Sequence, residues 1–257
     1  MPSPLSVSAK LILFGEWGIL NGFTGVGCTL NKTFSTTIET QNKAELCLQT
    51  STQEEVFNSE SILHYQDSFF KFFLGGAQCM AKNWPQDLLH HKIKLNCNWN
   101  HKEGLGSSSA ALLNGALVFQ PEALHTPLLL WEKLLPCLQE LQGGKGSGFD
   151  LALHIFGGAL AFRKNKPAES LNIEFPKQLF LLHSGKKWDT SVELKSRKFD
   201  PAFFEAMGKV SETFIQNKNW QESISEAHLH LQKAGSISFE QNETMNNIKI
   251  QSKSDLV

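Results

Sequence analysis

The chain has 257 residues, 41% of them hydrophobic and 19% charged, with a formal net charge of −1. This length supports one large domain or two modest ones around a sizeable core, and this balance excludes a disordered chain. The basic residues are almost all lysine, with Arg163 and Arg197 the only arginines, and the near-zero net charge provides no field to recruit nucleic acid or an acidic membrane.

Residues 5–14, LSVSAKLILF, predict a strand that runs into a turn at Gly15-Glu16. Segments 26–40 and 43–50 are rich in Val, Thr, Ile and Leu and predict further strands. Apolar residues at helical spacing over 68–84 predict a helix closed by Pro85. HKIKLNCNW then alternates, with Ile93, Leu95, Cys97 and Trp99 on one face of a half-buried strand. It leads into EGLGSSSAALLNGAL (103–117), where a helix is predicted over about 107–119. A second helix over about 127–142 contains Pro136, where a kink is expected. The glycine cluster GGKGSGFD (143–150) precedes a short helix and the strand GALAFR. LFLLHS (179–184) predicts another strand, and helices are expected at 189–198, 202–217, 219–234 and 240–250. Strands come first, a mixed region next and helices last, an order that points to an α+β protein rather than a doubly wound parallel sheet.

The cysteines at 28, 47, 79, 97 and 137 are scattered and form no CxxC pair, which suggests reduced thiols, buried as small apolar groups, in a cytoplasmic protein. The N-terminal stretch lacks a basic segment before an apolar one, so no signal peptide is expected. The longest apolar segment, 128–141, is interrupted by Glu132, Lys133 and Pro136, so no membrane span is expected.

A strand, a glycine-rich turn and a helix start together make an anion site. The glycines let backbone N–H groups converge, and the helix dipole adds positive potential. Serine hydroxyls there can cap the helix, donate to phosphate oxygens or ligate Mg²⁺. The stretch is not a Walker loop, because no lysine follows the last glycine at the required spacing, and it lacks the third glycine of a dinucleotide fingerprint. By itself it suits either a phosphate cradle or a serine-capped glycine turn. Lys10 alone reads as a strand-edge lysine, and Asp150 alone as a helix cap. The close histidine pairs, His90-His91 and His228 with His230, have no metal-binding spacing, and no hydrolase nucleophile elbow occurs.

In this order, SAKLILFGEWGIL, EGLGSSSAAL and GSGFDLALHIFGGAL resemble the three stretches of the galactokinase, homoserine kinase, mevalonate kinase and phosphomevalonate kinase (GHMP) family, over residue 8 to about 195. The resemblance implies a two-domain GHMP-kinase-like fold. Residues 1–165 would form a ribosomal-protein-S5-domain-2-like ATP-binding part, and residues 166–257 a helix-rich, ferredoxin-like part. It implies that Gly104, Leu105, Gly106, Ser107, Ser108 and Ser109 wrap the phosphates of ATP, and that Ser108 ligates Mg²⁺. The family's second magnesium ligand, a glutamate about eleven residues before the aspartate, aligns with Gln139, and Glu140 beside it is the candidate. Asp150 would act as base toward the acceptor hydroxyl with Lys10 paired to it, and Glu16, Ser147 and Gly148 would line the substrate pocket.

GEWGILNG is similar to the mevalonate kinase form of the first motif, whereas LQGGKGSGFD and HSGKKWDTS look more like phosphomevalonate kinase. In the latter reading Lys186 and Lys187 would hold the phosphate that the acceptor already carries, with Ser184, Asp189 and Thr190 in the same pocket. The implied activity is ATP-dependent phosphorylation of phosphomevalonate or mevalonate in isoprenoid precursor synthesis. The alternative is a weak or inactive relative that binds nucleotide or metabolite, or serves as a partner subunit. No glycine follows Gly235, so the family's third, glycine-rich motif is unmatched and an incomplete C-terminal domain is expected. The expected partner is a small-molecule substrate, with a homodimer left open and neither nucleic acid nor a membrane implied.

Overall fold

Leu5–Phe14 (β1) places Val7, Ala9 and Leu11 in the main core, while Ile12 and Phe14 join two smaller clusters. The strand is thus packed on both faces, as its two-residue period allows. This is the first element of a computed structural model that describes residues 5–100, 103–144, 146–164, 166–177 and 200–235. β1 runs antiparallel to Thr24–Thr40 (β2), with Lys10 opposite Thr29 and an irregularity between Ser8 and Ala9. The long β2 organises the sheet. Its C-terminal half pairs with His91–Cys97 (β5), and its first residues pair with Ala159–Arg163 (β6). Leu46–Gln49 (β3) lies parallel to β5 and antiparallel to Glu54–Phe57 (β4), and Glu169–Ser170 (β7) edges β6. The order is β4-β3-β5-β2-β6-β7, with β1 also on β2. This mixed sheet with its helices is α+β.

Among the described residues up to 156, four α-helices follow: Lys71–Met80 (α1), Ser107–Phe119 (α2), Pro127–Leu141 (α3) and Phe149–Phe156 (α4). The first three pack with one face of the sheet around Phe73, Leu74, Leu112, Leu113, Leu134 and Ile93, all within 1% exposure. Each such side chain contributes roughly 1.5–3 kcal/mol of burial. α1 and α2 approach so closely that a Cβ at Gly76 would strike the Leu112 carbonyl and one at Gly115 the Phe73 carbonyl. Buried Asn114 fastens α2 to the sheet: it accepts from Thr36 Oγ1 at 3.1 Å and donates to the Ala110 and Phe34 carbonyls. α4 packs through Phe149, Ala152 and Leu153 on Leu160 and Phe162 of β6.

Pro201–Asn217 (α5) and Trp220–Lys233 (α6) cover the far end of β1, where Phe203, Met207, Val210 and Phe214 enclose Phe14, Trp17 and Val26. Arg163 on β6 reaches Glu212 of α5 at 2.7 Å and Thr24 at 3.0 Å.

The helix expected over 68–84 is shorter, ending at Met80. The Met80 carbonyl is taken by Gln120 Nε2 at 3.2 Å instead of by a further helical turn. β4 and the 3-10 segment Ser61–Asp67 were not expected. Cys97 is exposed, not core-facing, because the strand ends there and its Sγ turns to donate to the Trp99 carbonyl. Of the cysteines expected to be buried, only Cys28 and Cys47 are. The strand expected at 179–184 and the helices at 189–198 and 240–250 lie outside the described residues. No helix among the described residues is long and apolar enough to cross a membrane.

Candidate active site

The glycine-serine stretch begins α2 in an uncommon way. Gly106 takes the N-cap position with φ 84°, and no side chain caps the first turn. The serine cap considered from the sequence is therefore absent. Ser109 is buried with its Oγ 3.1 Å from the Gly106 carbonyl, while Ser107 and Ser108 are half-buried at the helix start. Unsatisfied N–H groups at the positive end of a helix dipole, with two hydroxyls beside them, form a site for an anion. Leu105, fully buried, anchors the turn, and its carbonyl accepts from the Lys10 backbone N–H at 3.2 Å.

That bond brings the first motif under the second. Lys10 is buried, and its aliphatic stem passes beneath Gly106. A Cβ there would lie 2.8 Å from Lys10 Cγ and 2.7 Å from His154 Nε2. Only a residue without a side chain both adopts this φ and leaves room for the lysine. The ammonium ends 2.9 Å from Asp150 Oδ1, and the Asp150 side chain remains 36% exposed against 7% for Lys10.

α4 repeats the device of α2. Gly148 is the N-cap at φ 79°, without a side-chain cap, so Asp150 is the second helical residue and not the cap. Ser147 Oγ accepts from the Phe149 N–H at 3.2 Å, the Gly148 carbonyl accepts from Trp131 Nε1 at 3.2 Å, and the Gly146 carbonyl accepts from Gln139 Nε2 at 3.2 Å. α3 thus acts as a strut for the loop that aims Asp150.

One turn after Asp150 on the same helix, His154 closes the cluster. Its Nδ1 lies 2.7 Å from the Ser8 carbonyl, and its Nε2 is 3.1 Å from both the Gly106 carbonyl and Ser109 Oγ. Both nitrogens face carbonyl oxygens, which only accept; the shorter contact, at Ser8, places the neutral ring's proton on Nδ1, and Nε2 then accepts from the Ser109 hydroxyl. Burial lowers the His154 pKa and keeps the ring neutral. Asp150 and the two backbone carbonyls partly offset that effect, and Lys10 reinforces it. The sequence reading missed His154, although its spacing of four from Asp150 places the two on one helix face.

Glu16 lies exposed in the turn after β1, with protein crowding around the turn. The crowding raises its carboxyl pKa, Lys10 opposes that shift and Asp150 adds to it, so Glu16 belongs to the same electrostatic cluster.

Other expected residues stand elsewhere. Glu140 lies with Tyr65, Cys79, Lys133 and Cys137 in a separate cavity between α1 and α3. Neighbouring helical residues point about 100° apart, so Gln139 faces the glycine loop and Glu140 faces away from it. The structure therefore does not bring Glu140 to Ser108 as a second magnesium ligand. No group of three or more His, Cys, Asp or Glu among the described residues is arranged to hold a metal ion. Lys186, Lys187, Ser184, Asp189 and Thr190 lie outside the described residues.

No family model matches the sequence, and no curated protein matches it. Solved structures do match in fold. A mevalonate kinase superposes with a TM-score of 0.73 at 17% identity, covering 93% of this chain and 82% of its own. The Methanococcus jannaschii mevalonate kinase gives 0.71 at 16% identity, with 92% and 80% covered. Streptococcus pneumoniae phosphomevalonate kinase, in complex with phosphomevalonate and AMPPNP, gives 0.66 at 12% identity, with 90% and 80% covered. The chain has the fold shared by mevalonate and phosphomevalonate kinases.

Proposed function

We propose that this protein is an ATP-dependent kinase of a small hydroxylated metabolite, with phosphomevalonate or mevalonate as acceptor. The observation that carries the reading is the Lys10–Asp150 ion pair, 2.9 Å long, directly beneath a glycine turn whose helix N-terminus is uncapped. Phosphoryl transfer requires little from a protein beyond positioning and charge neutralisation. The Gly104–Ser109 turn would hold the nucleotide's phosphates with backbone N–H groups and the hydroxyls of Ser107 and Ser108. Asp150 would orient the acceptor hydroxyl through the carboxylate oxygen not engaged with Lys10, and take its proton as the new O–P bond forms. Lys10 would stand against the negative charge at the reacting oxygens. Glu16, Ser147 and Gly148 would border the acceptor.

Mg²⁺, which this chemistry needs, commonly takes one or two protein oxygens and completes its shell from phosphates and water. The Ser108 hydroxyl at the helix start suits that role, and bound there the ion would neutralise phosphate charge. The phosphate-bearing acceptor is favoured by Lys186-Lys187, a cation pair suited to a second anionic group.

The test is coupled ADP release with mevalonate and with phosphomevalonate. Turnover with one of them that falls at least about a hundredfold in Asp150→Ala supports the reading, the usual range for loss of a general base. ATP binding without turnover on either acceptor would replace it with a nucleotide-binding relative. Lys186→Ala should raise KM for phosphomevalonate far more than for mevalonate.

A further inference from the structure

Away from the Lys10–Asp150 cluster, α1 and α3 enclose a cavity of about 450 Å³ lined by Tyr65, Gln78, Cys79, Lys133, Cys137 and Glu140. Cys79 from α1 and Cys137 from α3 both line it, and Cys137 Sγ packs against α1 at Gly75, one turn before Cys79. Both are partly exposed, whereas Cys28 and Cys47 are buried. From the juxtaposition of two accessible thiols across a helix interface, at a cavity that admits a small molecule, we propose that Cys79 and Cys137 form a peroxide-sensitive pair that closes reversibly to a disulfide.

The surroundings sort the two roles. The neighbouring Cys137 thiol lowers the Cys79 thiol pKa, burial opposing it and Lys133 assisting it. The same neighbour, followed by burial, raises the Cys137 thiol pKa. Burial raises the other three thiols, Cys28 to about 11. A thiolate is the reactive form, and Lys133 on the cavity wall favours it at Cys79, the site of attack. Cys79 sulfur attacks a peroxide oxygen: the S–O bond forms, the O–O bond breaks, and the departing alkoxide or hydroxide leaves as an alcohol or water after taking a proton. Cys137 sulfur then attacks the sulfenic sulfur. The S–S bond forms, the S–O bond breaks, and hydroxide leaves as water with the Cys137 proton. Two electrons pass from the two sulfurs to the peroxide, and a dithiol returns them on reduction.

The position of the bridge gives it a consequence. α3 also carries Trp131 and Gln139, whose side chains hold the Gly148 and Gly146 carbonyls ahead of Asp150. A cross-link at Cys137 pins the strut that supports that loop.

The experiment treats the reduced full-length protein with about one equivalent of hydrogen peroxide and measures the intact mass and the peptides without reductant. The expected result is a loss of about 2 Da, a Cys79–Cys137 linked peptide, and full reversal by dithiothreitol. In Cys137→Ser the first step should stall as a sulfenic acid at Cys79, about 16 Da heavier and trapped by dimedone. Oxidation appearing on exposed Cys97 with Cys79 and Cys137 still free would overturn the proposal. So would oxidation of Cys79→Ser at the wild-type rate. The wild-type arm alone decides the matter if a variant fails to fold.

Discussion

His154 offers the sharpest test of how the site is assembled, because its ring joins three motifs through two nitrogens. In the neutral ring Nδ1–H donates to the Ser8 carbonyl and Nε2 accepts from the Ser109 hydroxyl. Each bond contributes about 1 kcal/mol net, and leaving a buried partner unpaired costs a further 1–3 kcal/mol or so. His154→Leu should therefore destabilise the protein by about 2–4 kcal/mol. His154→Asn, which can restore the donor toward Ser8, should lose about half as much. The pH dependence supplies a second and independent reading. Burial, the largest cause, lowers the pKa from 6.5, so the unfolded chain binds the proton more readily than the folded one. Stability from this group is complete above the unfolded pKa and is lost as pH falls through 6.5 toward the folded value. Linkage bounds that loss at about 1.4 kcal/mol between roughly pH 7.5 and 5.5. Urea unfolding at the two pH values, wild type against His154→Asn, isolates the contribution from the remaining histidines. Equal pH slopes in the two proteins, or a cost below about 0.5 kcal/mol for His154→Leu, would refute the assigned hydrogen bonding.

Two further substitutions separate space, strain and charge at the same place. Gly104 and Gly106 both have positive φ, but a Cβ at Gly104 meets nothing within 4 Å, whereas one at Gly106 falls 2.7 Å from His154 Nε2 and 2.8 Å from Lys10 Cγ. Gly104→Ala should cost about 1–2 kcal/mol from backbone conformation alone, and Gly106→Ala at least about 1 kcal/mol more from crowding, with a loss of ATP affinity that Gly104→Ala does not match. Urea midpoints and nucleotide titration check both. Lys10→Met keeps the buried stem and removes the ammonium. Because Asp150 is 36% exposed, water can solvate the carboxylate left behind. The urea midpoint should then change little, under about 1 kcal/mol as for exposed pairs, while ADP release falls at least a hundredfold or so. A large stability loss with activity retained would make the pair structural.

What the sequence revealed, and what it hid, follows from the range of the interactions. The helix at 107–119 was legible to the residue, because a glycine turn followed by a continuous apolar run is a local signal. Lys10 and Asp150 were legible only through the order of three stretches, since nothing local announces a contact across 140 positions of chain. The long β2 was visible as β-branched sequence, but its three partners were not, because pairing is decided by which faces the helices cover. β4 was missed for the opposite reason. EEVF carries too few apolar residues to alternate convincingly, and it becomes a strand only by pairing with β3.

Residues 139 and 140 show the limit most clearly. Read as a string, Glu140 is one step from the position where a second metal ligand is expected, and a one-residue slip looks harmless. On a helix that step is a rotation of about 100°. It turns Gln139 toward Gly146 and sends Glu140 into the cavity with Cys79 and Cys137. The residue that does reach the glycine-serine turn is His154, whose signal was a spacing of four from Asp150. The same rule that removes Glu140 from the site puts His154 into it: on a helix, chemistry is shared at three and four residues' distance, and seldom between neighbours.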